Sequence, residues 1–174
     1  MQHLNINFDT VYRMGRLYGL NQDQKSFAFK MVHNLLPNKE RLYRIRKSAA
    51  PFCTFCPNLE VDDFNHFFHC EKYANVMRPI KVCLETHLPN ISVSMLSKLS
   101  YNCEESMELP ITWLLITSIM IVWEARKIGK NLQILDVKAE LLAQARLLKE
   151  TKRRIHQLHN GALLLKQMIQ DNLN

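Results

Sequence analysis

Apolar residues along this chain recur at helical spacing and rarely alternate, so the pattern predicts an all-α protein. Between Asp23 and Leu36, Phe27, Met31 and Leu35 form one stripe, with Ala28, Val32 and Leu36 beside it, and Asn21 is placed to cap the helix. Pro37 is expected to stop it, and Asn38 to cap a second helix, KERLYRIRKS, whose Leu42 and Ile45 face inward. A further helix is expected to carry His66 and Cys70 and to run on through Tyr73, Ala74 and Met77. Pro79 would kink or restart it, Ile80, Cys83 and Leu84 would continue its apolar face, and Pro89 would end it. A short helix near Val93–Leu99 follows. Pro110 is expected to open an apolar helix that buries Trp113 and Trp123 and ends near Arg126–Gly129. From Asp136 a long helix places Leu141, Leu148, Ile155, Ala162 and Ile169 seven residues apart, with Leu158 and Leu165 between. This partial heptad seam breaks at Asn160-Gly161 and either packs on the domain or pairs with a partner helix.

The expected organisation is an ill-defined segment over 1–22, a helical domain over 23–130 and a helical extension over 131–174. With 47% hydrophobic residues the chain can bury a substantial core. The longest apolar run, Ile111–Trp123, is shorter than the roughly 20 residues a bilayer span needs. It is read as a core helix, and no membrane partner is expected. The net charge of +7 and pI of about 9.3 favour an acidic partner, first RNA or DNA. The N-terminus has no apolar core of the secretory kind and the five cysteines are odd in number. Both point to a reducing, intracellular setting in which cysteines bind metal rather than pair.

Four residues carry the clearest chemistry. Cys53, Cys56, His66 and Cys70 are spaced Cys-x2-Cys-x9-His-x3-Cys. Two cysteines on a tight turn can share one ion. A His and a Cys four apart share a helix face, with Cβ atoms about 5–6 Å apart. Three thiolates and one imidazole make the closed tetrahedral set of one structural Zn2+. Asp62 or Asp63 is placed to cap the helix that follows. His69 is an alternative ligand, but only His66 stands one full turn before Cys70.

The most basic stretch precedes this motif. Lys39, Arg41, Arg44, Arg46 and Lys47 oppose Glu40 alone, and Tyr43 adds a ring that can stack on a base. Lys152, Arg153 and Arg154, with Lys149, form a second basic cluster, while Glu104, Glu105 and Glu108 mark an acidic side. These features favour contact with nucleic-acid phosphates. A catalytic role is not expected. Asp62-Asp63 lie between a metal knuckle and a helix rather than on a polymerase hairpin. The glycines are too scattered for a phosphate loop, and a four-ligand zinc leaves no position for an attacking water.

The order Leu36-Pro37, basic helix, Cys53-x2-Cys56, His66-Phe67-Phe68-x-Cys70 and Trp123-x-x-Arg126 resembles the reverse transcriptase zinc-binding domain of LINE-class (non-LTR) retrotransposon proteins, which lies C-terminal to the polymerase. The resemblance covers roughly residues 24–127. Asp62-Asp63-Phe64-Asn65 departs from the family's usual residues before the histidine and leaves the four ligands intact. The resemblance implies a domain that helps hold template RNA or target DNA, without catalysis of its own. The competing expectation is a zinc-stapled interaction module that binds a partner helix, or itself, through residues 141–170.

Overall fold

A capping box opens the first described helix. The Asn21 side chain accepts from the Gln24 amide at 2.8 Å, and the Gln24 side chain accepts from the Asn21 amide at 2.9 Å. The computed structural model describes residues 20–101, 103, 105–151 and 166–171. Within these, the helices in chain order are α1 (Gln22–Val32), α2 (Lys39–Arg44), α3 (Phe64–His69), α4 (Ala74–His87), α5 (Val93–Lys98), α6 (Glu105–Lys127) and α7 (Ile134–Thr151). A 3-10 turn at Glu71–Tyr73 precedes α4, and residues 166–171 are helical. Among the described residues no strand forms, only one antiparallel bridge between Phe52 and Val61. The protein is all-α, as its periodicity predicts.

The apolar helix α6 is the axis of the core. Ile111, Leu114, Leu115, Ile116, Ile119 and Val122 are fully buried, and Trp113 and Trp123 nearly so. α6 packs against α1, α4 and α7. The stretch Met107–Lys127 has the length and composition to cross a membrane, and most of it is buried inside this fold. Trp123 joins two elements, with the Phe27 ring of α1 at 6.4 Å and the Phe67 ring of α3 at 5.6 Å. Gln24 donates to Thr117 Oγ1 at 2.8 Å, which satisfies a buried amide against a buried hydroxyl.

Several helix ends differ from expectation, for identifiable reasons. α1 stops at Val32, well before Pro37. Asn34 adopts a left-handed conformation (φ 52°), the Leu35 amide returns to the Lys30 carbonyl, and the Asn34 amide returns to that of Met31. This is a Schellman closure built on asparagine. α2 ends the same way at Arg44. Arg46 is left-handed (φ 57°), and the Lys47 amide bonds the Leu42 carbonyl. The second helix is therefore six residues long with no buried residue; Leu42 is half-buried and Ile45 is 51% exposed rather than inward. The helix bearing His66 does not continue through Cys70, whose extended backbone (φ −55°, ψ 121°) breaks it before the 3-10 turn. Conversely, α4 runs through Pro79 and α6 begins at Glu105, so neither proline bounds a helix. Each proline removes one intrahelical bond. In α4 the burial of Val76, Met77, Ile80, Cys83 and Leu84 offsets that loss.

The described part of the C-terminal seam packs on the domain. Val137, Leu141 and Ala145, four residues apart, are buried as α7 lies on α4 and α6. Met168 and Ile169 join the same core, and the Cys83 thiol reaches the Met168 carbonyl at 3.8 Å. Cys83 is fully buried as expected, whereas Cys103 is only partly so. Leu148, Ile155, Leu158, Ala162 and Leu165, the Asn160-Gly161 break, and most of residues 1–22 lie outside the described residues or side chains. We expect Leu141→Ala to lower unfolding free energy by about 2–5 kcal/mol in denaturant titrations. Leu135→Ala on the same helix, at a residue 69% exposed, should change it by less than about 0.5 kcal/mol. Equal effects would mean that α7 does not pack as described.

Candidate metal centre

The two ends of the metal motif reach one point by separate local devices. On the first side, the Phe52–Val61 bridge pins a short knuckle, with the Cys53 amide bonded to the Glu60 carbonyl at 2.8 Å and the Asp62 amide to the Pro51 carbonyl at 2.8 Å. Cys53 and Cys56 project from the turn between. On the second side, the Asp63 carboxylate accepts from the His66 amide at 2.6 Å and so caps α3, which aims His66 inward. The break at Cys70 then swings its sulfur back toward the same point.

One ligand atom from each of Cys53, Cys56, His66 and Cys70 lies within 4.8 Å of the others, and all four residues are buried. Cys53 Sγ is 3.9 Å from Cys70 Sγ, Cys56 Sγ is 3.7 Å from Cys70 Sγ, and His66 Nε2 is 3.5 Å from Cys56 Sγ. A tetrahedral ion bonded at about 2.3 Å to sulfur and about 2.0–2.1 Å to nitrogen requires edges of about 3.8 Å between sulfurs and about 3.5 Å from sulfur to nitrogen. These three edges match this, and the remaining ligand pairs lie within 4.8 Å. The four residues thus fit a single metal ion. His69 is exposed and outside the group.

The surroundings complete the ligand set. His66 Nδ1 donates to Glu60 Oε2 at 2.7 Å, which fixes the tautomer that leaves Nε2 free for an ion. Cys53 Sγ accepts from the Phe55 amide and from the Arg126 guanidinium, each at 3.4 Å. Burial pushes the Cys70 thiol up to about 12, and the nearby Cys53 sulfur adds to the rise. Burial also raises Cys56. Without a cation these thiols therefore hold their protons at neutral pH, and an ion must displace them.

Three residues that the sequence did not single out in these roles matter here. Glu60 orients His66. Asp62 does not cap α3; its carboxylate pairs with Arg126 and accepts from the Lys39 amide at 3.0 Å, and its carbonyl accepts from the Glu40 amide at 3.2 Å. Arg126, at the end of α6, lies 5.7 and 5.8 Å from the centres of the Phe55 and Phe67 rings. Its position in Trp123-x-x-Arg126 was the available signal. Nearby, Lys72 donates to the Gly129 carbonyl, Tyr73 to that of Lys130 and Asn75 to that of Leu132, so the loop after α6 is tied to the segment following Cys70.

The basic residues are placed less uniformly than expected. Lys39, Arg41, Tyr43 and Arg44 are on α2, while Arg46 and Lys47 stand on the turn that ends it. Arg44 pairs with Glu40, and Arg41 donates to the Asn34 carbonyl. Lys152, Arg153 and Arg154 lie outside the described residues. No protein-family model, curated protein or solved structure matches this chain.

Two results should follow from this geometry. Glu60→Gln should weaken metal affinity about 10- to 100-fold in competition with a chelator, while His69→Ala leaves it unchanged; loss of affinity in the His69 variant would relocate the site. Calorimetry in buffers of different ionisation enthalpy should show release of the Cys56 and Cys70 protons on metal binding at pH 7, with affinity falling as pH falls. That sign follows because the raised thiol pKa values favour the protonated, metal-free form on the acid side.

Proposed function

We propose that this chain is a zinc-stabilised nucleic-acid-binding domain, derived from a retrotransposon protein, that contacts phosphates through residues 39–47 and has no catalytic activity of its own. Three thiolates and one imidazole in a closed, buried set are the donors of structural zinc. Full coordination leaves no open position for a reacting water, which supports a structural rather than hydrolytic ion. The resemblance to the reverse transcriptase zinc-binding domain rests on the order of these ligands and on Trp123-x-x-Arg126.

The observation that carries the reading is the state of Arg46 and Lys47. Both are exposed, and among the described residues neither has an ion-pair partner. They stand on a closed turn of a segment holding five positive charges against one negative. That segment is bonded through Lys39 and Glu40 to Asp62, beside the metal ligands. Free cations on a held backbone suit phosphate contact, which positions a polynucleotide without reading its sequence.

Binding of a fluorescent RNA by the zinc-loaded chain should weaken with salt, with a log–log slope of about −0.7 per contacted phosphate on a single strand. Replacing Arg46 and Lys47 together by Ala should reduce that slope by about one to two units. Arg44→Ala, at a residue already paired with Glu40, should reduce it less. A double variant that binds RNA like the parent at every salt concentration would remove these residues from the interface and with them the reading.

A further inference from the structure

The same segment displays side chains that phosphate contact does not use. Tyr43 is 49% exposed and Phe52 37%, and between them in sequence lie Arg44, Arg46 and Lys47. Ile45 and Val61, at 51% and 45%, add apolar surface. Phe52 and Val61 face each other across the bridge as a non-hydrogen-bonded pair, because the flanking bonds run from Cys53 to Glu60 and from Asp62 to Pro51. In such a pair the side chains lie close together on one face. The opposite strand also delivers Asp62, which holds the first turn of α2. Tyr43 stands one helical turn beyond Glu40, about 4.5 Å along the axis. Both exposed rings therefore belong to one stapled unit, and the free cations lie on the chain that joins them.

From this juxtaposition we infer that the surface binds a single-stranded polynucleotide, its phosphates on Arg46 and Lys47 and its bases against Tyr43 and Phe52; the inference rests on the nucleic-acid reading given above. Aromatic faces beside a cationic track are how proteins hold single strands, since every base has a face to stack. A duplex offers its bases only as groove edges. α2 is six residues, about 9 Å long, and a left-handed turn ends it. A duplex would engage the cations and leave both rings in water.

The test measures fluorescence anisotropy of the full zinc-loaded chain with an unstructured 15-nucleotide RNA, a DNA of the same sequence, and the duplex of each. The single strand is expected to bind at least about tenfold more tightly than its own duplex at physiological salt, and the tighter strand names the source. Tyr43→Ala and Phe52→Ala should each weaken single-strand binding about 5- to 100-fold, with salt slope, duplex affinity and far-UV circular dichroism unchanged. Duplex binding as tight as single-strand binding, or either variant binding the strand like the parent, overturns the inference while the nucleic-acid reading stands. Binding to none of the four probes removes both. Self-association of the parent, lost in these variants and without strand binding, would overturn the inference and mark the face as a protein contact.

Discussion

Asp62 and Arg126 form a buried ion pair at the point where the metal knuckle, the basic segment and the core helix meet. Their side chains are 5% and 8% exposed. Burying two charges has a desolvation penalty of several kcal/mol per ion, and the pair persists only where further bonds satisfy both partners. Those bonds are present in part, since Arg126 Nη1 is buried without a hydrogen-bond partner among the described residues. Asp62 also accepts from the Lys39 amide, and Arg126 also donates to Cys53 Sγ. A divalent ion on three thiolates and a neutral imidazole carries a net charge of −1, and the guanidinium against Cys53 is placed to offset it. Removing one partner of such a pair typically costs about 3–5 kcal/mol, because the other is left charged and buried.

Stability in this molecule is unevenly distributed, and the division bears on function. Around α6 the core is apolar and continuous, from Phe27 and Met31 on α1 to Leu141 on α7 and Ile169. The segment that carries the free cations has no such anchor, since α2 buries no residue. Its placement depends on backbone bonds to Asp62 and on the knuckle that the metal ligands close. Structural zinc supplies about 10–16 kcal/mol of folding free energy in small peptides. That is ample to hold a surface element the hydrophobic core does not reach. On the proposed reading, an ion at this site would act through structure, keeping the cations and rings of the segment in one arrangement.

The ligand set was legible because its logic is local. A turn places two cysteines, and the four-residue spacing to Cys70 favours His66 over His69, although Cys70 stands beyond the end of α3 rather than on it. The caps Asn21 and Asn38 were legible for the same reason, as was the burial of Trp113 and Trp123. Helix ends were less so. Asn34 and Arg46 terminate their helices in left-handed conformations that glycine usually supplies, and Arg46 carries no sequence signal for that role. Pro79 and Pro110 mislead in the opposite direction, because tertiary burial outweighs one lost bond. The pairing of Asp62 with Arg126 spans 64 residues, and no periodicity reports it. Asp62 and Asp63 read alike as caps in sequence, and only the fold gives one to α3 and the other to Arg126.

One ion, held by three sulfurs and one nitrogen, would close the knuckle to which residues 39–47 are bonded through Asp62. Zinc K-edge X-ray absorption on the reduced, freshly purified chain tests it most directly. The account predicts a four-coordinate shell with three sulfur scatterers at about 2.3 Å and one nitrogen at about 2.0–2.1 Å. A shell of nitrogen and oxygen with fewer than three sulfurs, or protein without stoichiometric metal, would contradict it.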